Sequence, residues 1–331
     1  MKTIYMFVYN DIATDARVVR AAKALAKNNK VILYAIGTLP DKIDNLTSIA
    51  VKNCEAVGGI KANLKFIWGA FSTFFKVKPD VVFGHDIFSA VPFVLIRLFS
   101  HKLKFVYDAH ELFLPENGRP SGIIEKIQYR LEGKAIQKAD LVLCAQTQRG
   151  KLMQKYHRLA VPPTVIRNIS YLPQVPDEEL EKKYADFFSA EGFSVVYAGG
   201  FLKGRRLDEL MRAVDAQNEP TKLMLIGSGP DADRLQKIQS ELQNPNIMIC
   251  PSVPYHKLWA ILRHFDAGFL YYSTDCLNNL YCAPNKIFEY ASIPLPIIAN
   301  ENPTVIRELD HYGIGVCNND FLKFAGKKML L

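Results

Sequence analysis

The sequence predicts an α/β protein made of two successive doubly wound domains. Three observations carry that reading. Short apolar runs alternate with helical patterns over residues 1–170, a second alternation runs over 193–331, and a stretch rich in proline and charge separates them. A chain of 331 residues is also too long for one typical core and fits two domains of roughly 100–200 residues each.

In the first half, strands are expected near 3–9, 31–36, 80–84, 104–108, 140–145 and 164–167, with helices near 15–28, 61–75, 87–100, 122–138 and 147–156. The apolar run from Met1 to Val8 turns acidic at Asp11 and Asp15 without a small-residue cleavage site, so it reads as a first strand and not as a signal peptide. Pro173, Pro176 and the charged run 177–183 place a linker at 171–192, with the run itself a solvated helical turn. Beyond it, strands are expected at 195–198, 222–226, 247–250, 267–271 and 296–299. Helices fall at 206–217, 231–242 and 255–264, and a further one starts at Pro284. The expected domains are therefore 1–170, the linker 171–192, and 193–331.

Composition narrows the function. Hydrophobic residues make up 49%, ample for two cores, and the longest apolar stretches fall short of the about 20 residues that span a bilayer. The stretch 90–99, for example, is interrupted by Pro92 and Arg97. A cytoplasmic location is expected. The six cysteines are scattered without a C-x-x-C pair, which argues against a zinc site or a disulfide framework and for reduced thiols. The net charge of +8 is uneven: residues 1–170 carry +12 and residues 171–331 carry −4. A basic first half suits an anionic substrate, an anionic membrane surface or nucleic acid, and the last is set aside because no recognised nucleic-acid module appears. Residues 66–71, with Lys61, Lys65, Lys76 and Lys78, combine aromatics and cations as an interfacial helix does. The same spacing packs a core, which is the expectation here, with a peripheral position on the cytoplasmic face of a membrane as the alternative.

The segment 282–292 is the most informative. Proline is favoured at the first helical position, so Pro284 should start a helix whose free N–H groups and positive dipole end, reinforced by Asn285 and Lys286, face an anion. Glu289, one turn further on, suits the hydroxyls of a ribose. Gly199 and Gly200, after the strand at 195–198, allow close backbone approach to phosphate, and Arg205 or Arg206 can grip diphosphate oxygens. The turn Gly227-Ser228-Gly229-Pro230 is not a dinucleotide fingerprint, and none follows the first strand. The pair Asp231 and Asp233 is expected to cap a helix and not to bind metal. His85 and His110 stand at the ends of neighbouring strands, where an imidazole can serve a sugar hydroxyl or a leaving phosphate.

Taken in order, these segments resemble glycosyltransferase family 4. The resemblance is carried by the helix start at 15–20, His85-Asp86, VYDAHELF at 106–113, Val165 to Asn168, YAGGFLKGRRLDEL at 197–210, the turn at 225–230 and APNKIFEY at 283–290. It implies a GT-B fold, two Rossmann-like doubly wound domains facing across a cleft. It also implies a retaining, hexosyltransferase-type enzyme that takes a sugar from a nucleotide diphosphate-sugar to a glycan or lipid-linked acceptor. Members with this pattern commonly build bacterial surface polysaccharides. By the same resemblance His110 is the active-site histidine, while Gly199, Gly200, Arg205, Asn285 and Lys286 meet the donor diphosphate. Glu289 holds the ribose, Val253 lies in the loop whose backbone meets the base, and no metal or other cofactor is required.

Three positions depart from the family pattern. Tyr281 stands where a second glutamate often contacts the sugar, Pro294 where a glycine commonly follows the helix, and Gly200 where an arginine commonly follows the first glycine. Sugar contacts from Asn278, Asn279 or backbone amides would substitute. The chain ends at Leu331, before the C-terminal helices usual in the family, so a truncated second domain is expected. Two other readings share the fold: a nucleotide-sugar 2-epimerase, and an inactive nucleotide-sugar-binding protein.

Overall fold

The computed structural model describes residues 1–12, 15–37, 49–54, 60–100, 102–114, 122–170 and 172–324. The expected C-terminal truncation falls on residues outside that set. The chain divides into two units, Met1–Asn168 and Ile169–Leu331.

The first unit is a seven-stranded parallel sheet in the order β3-β2-β1-β4-β5-β6-β7. Its strands are β1 (Thr3–Asp11), β2 (Lys30–Ile36), β3 (Ile49–Cys54), β4 (Val81–His85), β5 (Lys104–Ala109), β6 (Leu141–Cys144) and β7 (Thr164–Val165). The helices are α1 (Ala16–Ala26), α2 (Ile60–Val77), α3 (Ala90–Phe99), α4 (Ile123–Lys138) and α5 (Thr147–His157). The strands are apolar on both faces because helices cover both. Met6, Val8 and Leu33 pack with Val18, Ala22 and Ala26 of α1, while the Phe93 ring lies edge-on to Phe105 and Tyr107. Strand β3 is absent from the sequence reading, since IAVKNC is apolar only in its first half. Helix α2 corrects the expectation that its aromatics pack the core. Ala62, Phe66, Ala70 and Phe74 are buried, but Leu64, Trp68 and Phe75 are exposed.

The second unit holds a six-stranded parallel sheet, β10-β9-β8-β11-β12-β13. It begins inside the stretch expected as a linker, with α6 (Glu178–Lys183) and α7 (Ala185–Ser189). Tyr184 and Phe187 belong to the core there, and the Lys222 ammonium donates to the Phe187 and Phe188 carbonyls at 3.1 and 3.2 Å, which completes the end of α7. Then follow β8 (Phe193–Ala198), α8 (Leu207–Asp215), β9 (Thr221–Ile226), α9 (Ala232–Leu242), β10 (Ile247–Cys250), α10 (Leu258–Leu262) and β11 (Ala267–Leu270). The unit closes with α11 (Leu277–Leu280), α12 (Asn285–Ala291), β12 (Ile297–Ala299), α13 (Pro303–Tyr312), β13 (Gly315–Cys317) and α14 (Phe321–Phe324).

Two capping expectations need correction. Asp231 occupies the cap position of α9 but gives no side-chain cap bond; both of its oxygens accept from Arg234 at 2.7 Å, and Arg234 also reaches Asp208. A guanidinium within reach outcompetes a backbone amide because the bond is charge-assisted and bidentate. Pro284 is the extended cap residue of α12, one position earlier than expected, and Asn285 is the first helical residue.

In each sheet the chain reverses direction of growth, between β1 and β4 in the first unit and between β8 and β11 in the second. Such a reversal opens a crevice at the carboxyl ends of the central strands. In the second unit Tyr290 of α12 fixes that region. It is fully buried, its hydroxyl accepts from the Ala198 amide at 3.2 Å, and its ring lies where a Cβ on Gly268 would come within 2.6 Å. Tyr290→Phe leaves the Ala198 amide unsatisfied, and a loss of about 1–3 kcal/mol is expected, read as a lower urea midpoint at unchanged slope.

Candidate active site

In the first unit the site is built on a buried carboxylate. His85 ends β4 and is paired in register with Asp108 of β5, so both side chains arrive at the carboxyl edge of the sheet next to the reversal. Asp15 caps α1, its Oδ1 accepting from the Val18 amide at 3.1 Å, and this first turn presents Arg17 to Asp108. The guanidinium grips both carboxylate oxygens, Nε to Oδ2 at 2.9 Å and Nη2 to Oδ1 at 2.5 Å. Its remaining nitrogen Nη1 donates to the Ile166 carbonyl and the Asn168 side chain at 2.8 and 2.6 Å. The C-terminal segment of the unit is thereby tied to the same ion pair.

His110 lies just past β5. Its Nε2 is 3.4 Å from Asp108 Oδ2 and 3.2 Å from His85 Nδ1, while His85 Nδ1 is 3.3 Å from the same Oδ2. Arg149 of α5 donates to the His110 carbonyl at 2.7 Å and so fixes the backbone that carries the ring. Burial alone would raise the Asp108 carboxyl, but hydrogen bonds from His110, His85 and Arg17 hold it well below the usual carboxylate range. Burial pushes His85 down, and the ring stacks on Phe83 at 4.3 Å. For His110 burial works in the same sense, yet the bond to and charge of Asp108, with Asp86 and Asp15 behind, carry it above its ordinary value. His110 is therefore the more basic of the two imidazoles. Asp86, next along, adopts a left-handed φ of 61° that favours glycine, and its buried Oδ1 has no hydrogen-bond partner.

The second unit gathers cations at its own reversal. Gly199, with φ of 156°, follows β8, and a Cβ there would sit 2.4 Å from the Lys286 Nζ. Any other residue would strain this backbone and push the end of the Lys286 side chain aside. Gly200 is different, since a Cβ would meet nothing closer than 3.9 Å; its carbonyl accepts from the Tyr197 hydroxyl at 2.9 Å. Arg205 donates to the Tyr271 carbonyl at 2.7 Å, and its guanidinium carbon lies over the Tyr272 ring, 3.8 Å from the centroid. Arg206 is committed elsewhere, to Glu209 and the Tyr271 hydroxyl. Of the two arginines weighed from sequence, Arg206 is the one paired with a carboxylate.

Lys286 and Glu289 lie one turn apart on α12, both half-buried. Burial lowers the Lys286 ammonium from its usual value, Glu289 counteracts this, and Arg205 adds to it. Asn285 Oδ1 is buried with no hydrogen-bond partner. The Val253 side chain packs against the core. Asn279 binds Ser273 and Asp275, at 2.9 and 3.4 Å, and so holds its own loop. Sequence reasoning missed Arg17, Asp108, Arg149 and Tyr272 as site residues. A signal existed for Asp108 alone, at the end of β5 and two positions before His110.

The sequence pattern of Glycosyltransferase Family 4 matches residues 16–169. No curated protein matches the chain in sequence. Among solved structures it is similar to a sucrose-phosphate synthase from Thermosynechococcus elongatus, at 13% identity and a TM-score of 0.72, covering 98% of this chain and 88% of that one. It is similar to Anabaena HepE, solved in complex with UDP and glucose, at 13% identity and 0.71 with the same coverage. A Listeria monocytogenes protein described as a UDP-N-acetylglucosamine 2-epimerase shares the fold at 11% identity and 0.62, covering 98% and 86%. These likenesses establish the GT-B fold, two Rossmann-like domains.

The electrostatics give signed expectations. His110 gains proton affinity on folding, so its contribution to stability is present below about pH 6.5 and is lost as pH rises through its folded value. Asp108 contributes above about pH 4 and loses its contribution as pH falls through its depressed value. In Asp108→Asn the His110 titration followed by NMR should move to lower pH; an unmoved midpoint would show that Asp108 does not set it.

Proposed function

We propose, from the match of residues 16–169 to Glycosyltransferase Family 4, that the chain moves a hexosyl group from a nucleotide diphosphate-sugar to a hydroxyl of a glycan or lipid-linked acceptor, with retention of configuration. The observation that carries the reading is the pair of cations in the second unit. Arg205 and Lys286 are close enough to repel, Lys286 has lost much of its water, and a diphosphate relieves both costs. The unpartnered Asn285 Oδ1 and the Gly199 backbone lie at the same helix start. Glu289, one turn on, takes the ribose hydroxyls.

In this reading the acceptor hydroxyl attacks the anomeric carbon on the face from which the diphosphate leaves. The bond from that carbon to the diphosphate oxygen breaks, the new glycosidic bond forms, and the hydroxyl proton passes to the departing diphosphate. Arg205 and Lys286 stabilise the charge that grows on the leaving group. His110, with Nε2 turned in toward Asp108 and His85, offers Nδ1 to the transferred sugar. Arg17, Asp108, His85 and Arg149 position that ring.

Metal is not required in this scheme. His85, Asp108 and His110 bring three ligand atoms within 4.8 Å, but Arg17 occupies both Asp108 oxygens and adds positive charge that opposes a dication. Turnover should therefore survive exhaustive chelation.

A thermal-shift and turnover panel of nucleotide-sugars tests the whole reading. A donor that stabilises the protein and is consumed only with acceptor present supports it; sugar conversion without acceptor would make the enzyme an epimerase. His110→Ala should lower kcat by about 10²–10⁴-fold, and Glu289→Ala should weaken nucleotide binding with little change in kcat. Because the Lys286 ammonium is lowered, affinity for UDP should fall as pH rises through a midpoint below the ordinary lysine value of about 10.4, and Lys286→Met should abolish that dependence. If no nucleotide binds and these substitutions change nothing, the reading fails.

A further inference from the structure

The geometry points to a docking surface for an anionic lipid bilayer on the α2 and α3 face of the first unit, independent of the chemistry proposed above. Leu64, Trp68, Phe71 and Phe75 recur at helical spacing along α2 and form a second apolar stripe, apart from the buried one. Trp68 is 70% exposed, Leu64 60% and Phe75 48%. The end of α3 extends the stripe with Phe99, 67% exposed, and Leu98. These rings touch one another: Phe71 lies 5.1 Å from Phe75, 5.5 Å from Phe99 and 6.3 Å from Trp68. They form one cluster and not scattered surface hydrophobics. A contiguous apolar patch with a polar rim marks an interaction site.

The charge around the patch selects the partner. Neither α2 nor α3 contains an acidic residue. Lys61, Lys65 and Lys76 run along α2 beside the apolar stripe, Lys78 follows it, and all four are exposed. Among the described residues none of them forms an ion pair. Lysine stems can lie along the apolar surface while their heads reach phosphates, and Trp68 suits the boundary between headgroups and chains. A second copy of the chain is a poorer partner, since a two-fold contact through this face would bring lysine rows of like charge together. Among the described residues no helix is long and apolar enough to cross a membrane, so this surface lies on the bilayer and does not span it.

Sedimentation with vesicles of equimolar phosphatidylglycerol and phosphatidylcholine, against pure phosphatidylcholine, tests the inference. Binding to the anionic vesicles is expected at low salt and should weaken as salt rises. Each of Lys61→Ala, Lys65→Ala and Lys76→Ala should lower the partition coefficient about five-fold. The triple variant Trp68→Ser, Phe75→Ser, Phe99→Ser should lower it by more than about tenfold while keeping the circular dichroism and melting temperature of the parent, since these side chains are exposed. Equal binding to both vesicle types, no binding at low salt, or a dimer in solution that the triple variant disperses would overturn the proposal. Nucleotide binding, measured in parallel with UDP, should be the same in parent and variants, which separates failure here from failure of the glycosyltransferase reading.

Discussion

The first unit depends on one ion pair, Arg17 with Asp108. A carboxylate this buried would normally take up a proton, and a neutral Asp108 would neither raise His110 nor orient two imidazoles. The bonds from His110 and His85 prevent this together with Arg17, which holds both oxygens and whose third nitrogen ties the end of β7 and the exit of the unit to the same point. Helix α1, strand β5 and the segment at 166–168 thus meet at a single guanidinium. The architecture supplies the meeting place, because parallel strands deliver their carboxyl ends to one edge and the reversal of strand order leaves that edge open.

The second unit solves the same geometric problem with close backbone approach. Gly227 is packed so tightly that a Cβ would meet the Gly199 carbonyl at 1.9 Å, and Gly199 in turn makes room for Lys286. Loop positions that look interchangeable in sequence are therefore not equivalent. Gly227 is a steric necessity, Gly199 is favoured by its backbone conformation with only the flexible end of Lys286 in the way, and Gly200 is bound by neither. Asn300 and Asn302 hold the Tyr272 backbone, through bonds of 2.8–3.2 Å, and this fixes the ring on which Arg205 rests.

Much of this was legible in the sequence because the strands are apolar on both faces and punctuated by glycine or a polar cap. His110, Gly199, Lys286 and Glu289 stand at strand and helix ends that such patterns mark. What escaped depends on contacts distant in sequence. Arg17 meets Asp108 across 91 positions, and nothing local distinguishes it from Arg20. Arg149 reaches back 39 positions to the His110 carbonyl. Asp231 stands at the cap position that its pattern marks, but the competing partner, Arg234, one turn away, takes its side chain. Residues 171–192 were misread because charge and proline on the surface side concealed Tyr184 and Phe187 beneath.

Lys286 gives the second unit a property that its contact pattern does not express. Folding has already stripped much of the water from this ammonium, so an arriving anion meets a cation with little hydration left to displace. Such a site is preorganised for charge. It also couples occupancy to protons, since an anion that restores the ammonium's ordinary affinity draws a proton from the solvent as it binds. In the pH range where the empty site is partly deprotonated, the heat of binding should then depend on the ionisation enthalpy of the buffer.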